Sequence, residues 1–153
     1  MSADIKQATG YANVCPECTT CFEAGQTRCP ECKNSRPPDG WKELHRSVHS
    51  YLGKILEDRY LLDRYLGGGA SGQVYRATDR KLDRPFALKI LNLGSSGDDN
   101  SEAIRRFDNE VEALSRIRNP HVINIFESLR LEAQRPAMLT EYGEDYAKRF
   151  GLA

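Results

Sequence analysis

Two copies of one tetrapeptide, Cys15-Pro16-Glu17-Cys18 and Cys29-Pro30-Glu31-Cys32, lie ten residues apart near the start of the chain. A Cys-x-x-Cys turn presents two thiolates on one side of a tight knuckle. Two such knuckles facing each other complete a tetrahedral sulfur shell of the kind that holds zinc. The flanking sequence, residues 1–40, is rich in Cys, Pro, Thr and Gly and has almost no apolar periodicity. It cannot build a hydrophobic core of its own, and metal ligation would supply the missing folding energy. A pair of cysteines can also be merely small buried residues, and one Cys-x-x-Cys can be a redox pair. The duplication and the lack of a βαβ setting argue against both. The fifth cysteine, Cys21, could replace Cys15 in a shell with Cys18, but Phe22 beside it suits packing, and Cys21 stays unassigned. His45 and His49 stand four apart without an acidic neighbour in the H-E-x-x-H pattern, which favours a solvated helix face over a metal pair.

The second chemical pattern is Leu66 to Leu91, LGGGASGQVYRATDRKLDRPFALKIL. Gly67, Gly69 and Gly72 satisfy G-x-G-x-x-G, a weak signal alone. A dinucleotide loop would open a helix, and a Walker loop would end in Gly-Lys-Ser/Thr. Here Gly72 is followed by Gln73-Val74-Tyr75, a β-forming run. A strand–loop–strand hairpin laid over phosphates fits instead, with Gly67, Gly68, Gly69, Ala70, Ser71 and Gly72 letting the backbone N–H groups approach. Lys89, inside Phe86-Ala87-Leu88-Lys89-Ile90-Leu91, is either a phosphate contact or an outward-facing residue of an alternating strand. Glu110 lies beside the apolar stripe of a helix, where a carboxylate is costly unless paired. Lys89 is its natural partner, and Glu112 suits solvent.

These residues need elements to hold them. YLLDRYLG, QVYRATD and RPFALKILNL read as three strands joined by the turns GGGAS and DRKLDR. GSSGDDN (94–100) reads as a polar loop ending in N-cap residues. SEAIRRFDNEVEALSRIR follows as a helix with Ile104, Phe107, Val111, Leu114 and Ile117 on one face, stopped by Asn119-Pro120. HVINIFESLRLE and RPAMLTEY give two more strands, for the order β-β-β-α-β-β. Between the two chemical regions, Trp41, Leu44, Val48 and Leu52 recur at helical spacing. That predicts a linker over 41–58 carrying a short amphipathic helix that ends near Gly53.

From Leu52 to Gly143 the sequence resembles the amino-terminal lobe of a eukaryotic-type Ser/Thr protein kinase of the bacterial class. Leu66–Val74 matches the glycine-rich loop, Ala87-Leu88-Lys89 the A-x-K strand, and Phe107 to Leu114 the helix that carries the paired glutamate. The resemblance implies an α+β fold, with a five-stranded antiparallel sheet and one helix over 59–143, preceded by a segment similar to a zinc-ribbon head over 1–40. It implies ATP as ligand, with magnesium in the intact family, and Lys89 on the α- and β-phosphates held by Glu110. Leu66, Val74 and Ala87 would roof the adenine, Thr140 would stand behind it, and the backbones of Glu141 and Gly143 would meet its edge. Each of these also fits an ordinary core residue.

The resemblance stops short of a complete kinase. The H-R-D-x-x-x-x-N and D-F-G motifs, which supply the proton acceptor and the metal-binding aspartate, are not in the sequence. Arg149-Phe150-Gly151 puts an arginine where D-F-G needs its aspartate. The expectation is a truncated kinase whose carboxy-terminal lobe is absent, with 144–153 as a tail, binding nucleotide but inactive alone. The alternative is a non-catalytic zinc-binding adaptor built on the same lobe. Composition fits both: 22 basic against 22 acidic residues leaves no field for nucleic acid or a membrane. Arg28, Lys33 and Arg36 in the head are balanced by Glu17, Glu23 and Glu31, so a nucleic-acid role ranks last. With no signal-like start and no long apolar run, the cytoplasm is expected, where clustered cysteines bind metal more readily than they form disulfides. The protein substrate and the partner of the head are not legible.

Overall fold

The structure, a computed structural model, describes residues 2–70, 72–93, 97–117 and 124–142. Short strands β1 (Ile5–Gln7), β2 (Tyr11–Val14), β3 (Cys21–Glu23) and β4 (Lys42–Glu43) come first, then β5 (Lys54–Leu56). The long hairpins follow as β6 (Tyr60–Gly68), β7 (Gly72–Asp79) and β8 (Arg84–Leu91). Helix α1 (Gly97–Arg116), β9 (Ile125–Arg130) and β10 (Pro136–Glu141) complete the described chain. The expected β-β-β-α-β-β order is that of β6, β7, β8, α1, β9 and β10. These five strands are joined by two more in one antiparallel sheet of order β1-β5-β6-β7-β8-β10-β9, while β3-β2-β4 form a small separate sheet.

The alternation of the long strands divides the apolar residues between two faces. On one face Tyr75 and Ala77 of β7, Phe86, Leu88 and Ile90 of β8, and Ala137 and Leu139 of β10 form the main core. That core is completed by Val14, Cys21, Leu44, Tyr51, Leu52 and Leu56, all ahead of β6. On the opposite face Leu91 and Met138 receive Ile104, Phe107 and Val111 of α1. The helix stripe therefore packs as its 3.6-residue period requires. Its last apolar residue, Ile117, lies beyond α1 and is exposed.

Two sequence expectations are corrected. The helix expected within 41–56 does not form. Trp41 stacks edge-on against Phe22 at 4.9 Å, and β4 pairs with β2. Only Leu44–Arg46 makes a single 3-10 turn, and Val48 is 88% exposed. Four residues at helical spacing are too few to outweigh the separate destinations that tertiary packing offers them. The segment follows a course of short turns, burying Leu44, Tyr51 and Leu52, and Gly53 (φ +81) leads it into β5. A Cβ at Gly53 would stand 2.5 Å from Leu44 Cδ2. The second correction is at the helix start. Helix α1 begins at Gly97, inside the stretch read as a loop, because a polar sequence is compatible with a helix's first turn. Asn119-Pro120 lies outside the described residues.

The β7–β8 turn is held by a buried carboxylate. Asp79 accepts hydrogen bonds from Arg59 Nε (3.0 Å) and Nη2 (2.7 Å) and from the backbone N–H groups of Lys81 and Leu82. The Arg59 guanidinium and those N–H groups hold the Asp79 carboxyl down to about 2. Among the described residues no helix is long and apolar enough to cross a membrane.

Candidate metal centre and nucleotide cleft

The two cysteine tetrapeptides fold into the same turn twice. In the first, Cys15 N–H donates to the Thr20 carbonyl and Thr19 N–H to the Cys15 carbonyl, both at 3.0 Å. In the second, Cys29 N–H donates to the Asn34 carbonyl at 2.9 Å and Lys33 N–H to the Cys29 carbonyl at 3.0 Å. The residue after each closing cysteine has a left-handed backbone, Thr19 at φ 56 and Lys33 at φ 66. The turns face each other, and the four Sγ atoms of Cys15, Cys18, Cys29 and Cys32 all lie within 4.8 Å of one another. Cys15 and Cys32 Sγ are 3.6 Å apart, as are Cys18 and Cys29. Four ligands about 2.3 Å from a tetrahedral ion stand roughly 3.8 Å from each other, so the sulfur atoms fit a single ion.

The surroundings make the same demand. Phe22 is buried against the cysteines, with Trp41 packed on it, and burial pushes the Cys18 thiol up to about 12 and raises Cys15. Four thiolates this close repel one another unless a cation lies between them. These four cysteines can hold a metal ion. Cys21 is not among them: it is 3% exposed in the main core, its Sγ beside the Leu62 carbonyl. His45 is exposed, as expected of a solvated residue, with Glu43 3.6 Å away, whereas His49 stacks on Tyr65 with ring centroids 3.7 Å apart.

The glycine run forms the hairpin between β6 and β7. Gly69 N–H donates to the Gly72 carbonyl at 3.0 Å, and Asn92 Nδ2 donates to the Gly69 carbonyl at 2.9 Å. Gly72 must be glycine for space, since a Cβ there would sit 2.5 Å from the Ile90 carbonyl oxygen. Beneath the hairpin, Val74 and Ala87 are buried and Leu66 and Tyr142 pack against them, an apolar slot at the end of the sheet. Strand register places Thr140 opposite Ala87 and Met138 opposite Lys89, so these residues share the slot's face. Thr140 is fully buried. The Glu141 N–H is committed to the Asn124 carbonyl, and its own carbonyl receives the Thr140 hydroxyl. Ser71 and Gly143 lie outside the described residues.

Lys89 Nζ stands 3.6 Å from Glu110 Oε1, joining β8 to α1 beside the slot. The lysine side chain is only 16% exposed, so its charge is held at the cleft and not in open solvent. Glu112 points outward and pairs with Arg116. The apolar residues and the partly buried ion pair thus share one face of the central strands β7, β8 and β10, beside the glycine hairpin.

A protein kinase domain model matches residues 60–149, more than half of the chain. The chain belongs to the protein kinase family. Its kinase region is 41% identical over 76 residues to a probable serine/threonine-protein kinase of Clostridium perfringens. It is 38% identical over 76 residues to the serine/threonine-protein kinase PrkC of Bacillus subtilis. Over 87 residues it is 30% identical to the serine/threonine-protein kinase PknL of Mycobacterium tuberculosis. These stretches cover 50% of this chain in the first two cases and 57% in the third. They cover 11%, 11% and 21% of the relatives, so the chain spans a small part of the kinases it matches.

The kinase lobe contains two contributors that sequence reasoning passed over. Tyr142 closes the slot beside Leu66, and its signal was an aromatic residue directly after the last strand. Asn92 ties β8 to the hairpin, but an asparagine at a strand end carries no distinguishing mark in sequence.

Proposed function

We propose that the chain is the nucleotide-binding lobe of a protein serine/threonine kinase, and that zinc fills its four-cysteine site. The observation that carries the nucleotide reading is the Lys89–Glu110 pair set beside the Val74–Ala87 slot and under the glycine hairpin. ATP would lie with its adenine between Leu66, Val74, Ala87 and Tyr142. Its edge would meet the carbonyl of Glu141 and the backbone at Gly143, with Thr140 behind. The backbone of Gly67–Gly72 would cover the phosphates, and Lys89, oriented by Glu110, would neutralise the α- and β-phosphates. The family reaction transfers the γ-phosphoryl group to a protein hydroxyl. The aspartates that hold magnesium and accept the hydroxyl proton are not among these 153 residues. These residues would bind nucleotide, and phosphate transfer would need those aspartates as well. Zinc would be held by Cys15, Cys18, Cys29 and Cys32, fastening an amino-terminal segment that has few apolar residues of its own.

The test is titration of the zinc-loaded chain with a fluorescent ATP analogue and magnesium, beside Lys89→Ala. Loss of a charge-assisted phosphate contact should weaken binding by roughly tenfold to a hundredfold. Saturable binding unaffected by Lys89→Ala would refute the nucleotide assignment. Zinc-dependent capture of a protein, with no nucleotide binding, would favour the adaptor reading.

A further inference from the structure

The two cysteine turns are not a detached module. Each is fastened to one of the strands that form the glycine hairpin. From the first turn, Thr19 receives the Tyr65 N–H on its carbonyl at 3.1 Å and donates its hydroxyl to the Tyr65 carbonyl at 2.9 Å. One residue earlier, the Cys18 carbonyl accepts Arg64 Nε at 3.1 Å, and Thr20 bridges Arg64 in antiparallel fashion. Tyr65 immediately precedes Leu66, where the hairpin begins. Its ring hydroxyl fills the space that a Cβ on Gly68 would enter, 2.5 Å away. From the second turn, the Glu31 carboxylate pairs with Arg76 Nη1 of β7 at 2.8 Å and reaches Arg64 Nη1 of β6 at 3.9 Å. Arg64 and Arg76 are cross-strand partners at the base of the hairpin.

Thr19 is also held in a conformation that a β-branched residue rarely adopts, with φ at 56°. A residue persists there when its surroundings over-determine it. Here the cysteine turn sets the conformation, since Lys33 repeats it in the second turn at φ 66, and Tyr65 is bonded to the residue so placed. Glu31 lies within the second turn, between Cys29 and Cys32.

We propose that Thr19 and Glu31 are positioning residues for the nucleotide hairpin, so that filling the cysteine site tightens nucleotide binding. This rests on the zinc and nucleotide readings above. With the ion bound, the four sulfur atoms fix both turns, and the turns fix Arg64, Tyr65 and Arg76. With the ion removed, the turns lose the constraint that makes them converge, and the base of β6 and β7 loosens. A hairpin competent only part of the time binds with affinity reduced by that fraction, here about threefold to tenfold.

The experiment uses the full chain in zinc-loaded, chelator-stripped and zinc-restored forms, with zinc content measured on each. Hydrogen exchange is followed over residues 62–76, and affinity for a fluorescent ATP analogue is measured in parallel. Two variants keep every cysteine: Thr19→Val, which removes the hydroxyl but not the branching, and Glu31→Gln. Thr19→Ser serves as the rescue. Stripping is expected to speed exchange over 62–76 and weaken analogue binding threefold to tenfold. Thr19→Val and Glu31→Gln, each with a full complement of zinc, are expected to loosen the same stretch, and Thr19→Ser to restore it. If stripping unfolds the whole chain, the zinc-loaded variants still decide. Zinc-loaded Thr19→Val and Glu31→Gln exchanging over 62–76 as the parent does would overturn the proposal. A chain that takes up no zinc overturns the cysteine reading and the proposal with it. Zinc uptake without analogue binding refutes the nucleotide reading and the affinity arm, while the exchange arm still tests the fastening of the hairpin.

Discussion

The chain ahead of the matched kinase region and the region itself share one core, so a mutation in the former should unfold the latter. Leu56, on β5, is fully buried among Tyr60, Leu62, Tyr75 and Leu88 of the kinase sheet. Truncating a buried leucine to alanine costs about 2–5 kcal/mol through lost burial and the cavity left behind. With a urea dependence of roughly 1.5–2 kcal/mol per molar for a chain this size, Leu56→Ala should lower the unfolding midpoint by about 1–3 M. The sequence supplies its own local probe. Trp41, the single tryptophan, sits against Phe22 at the cysteine cluster. Far-UV circular dichroism instead reports mainly the large sheet and α1. In zinc-loaded protein the two signals should trace one transition, and Leu56→Ala should shift both together. Two separate transitions, with Leu56→Ala moving only one of them, would refute the shared core and restore the picture of a tethered head.

Two further outcomes follow from the hairpin and its neighbouring turn. Gly72→Ala forces a Cβ to 2.5 Å from the Ile90 carbonyl, a backbone atom that cannot step aside, and should cost about 1–3 kcal/mol in thermal or urea unfolding. Gly69→Ala meets open space and should stay within about 0.5 kcal/mol of the parent, so equal costs at both positions would contradict the described hairpin. Asp79, its carboxyl held down near 2 by Arg59, stabilises the fold fully above its unfolded value of about 4, and that contribution disappears as the pH falls from about 4 toward 2. Asp79→Asn should therefore be less stable at neutral pH and show a shallower fall in urea midpoint between pH 4 and 2, measured beside the parent.

Joining the head to the lobe changes how the half-sized domain is stabilised. A sheet of five strands and one helix has too little interior to be robust alone. Here the face of the sheet opposite α1 is covered by Leu44, Tyr51, Leu52 and Leu56, and by Val14 and Cys21 from the small sheet. The cysteine turns then extend that cover to the edge of β6, through Thr19 and Thr20.

What the sequence determined by itself was local chemistry and regular periodicity. Duplicate Cys-Pro-Glu-Cys turns need only their own few residues to form, and the spacing already implied four convergent sulfur atoms. Alternation in β6, β7 and β8 and the 3.6-residue stripe of α1 identified the elements, because each pattern repeats within a single element. The order of the glycine loop, Lys89 and Glu110 was legible for the same reason. Tertiary structure decided what depended on distant partners. Trp41, Leu44, Val48 and Leu52 imitate a helix in one dimension, yet their destinations are the cysteine cluster, the kinase core and solvent. Cys21 had no assignment and His49 was expected on a solvated face, until packing gave one to the core and the other to the Tyr65 ring. The fastening of Thr19 to Tyr65, 46 residues on, leaves no mark in either local sequence. A short pattern is compatible with several burials, and the choice among them is made by surfaces that only the folded chain brings together.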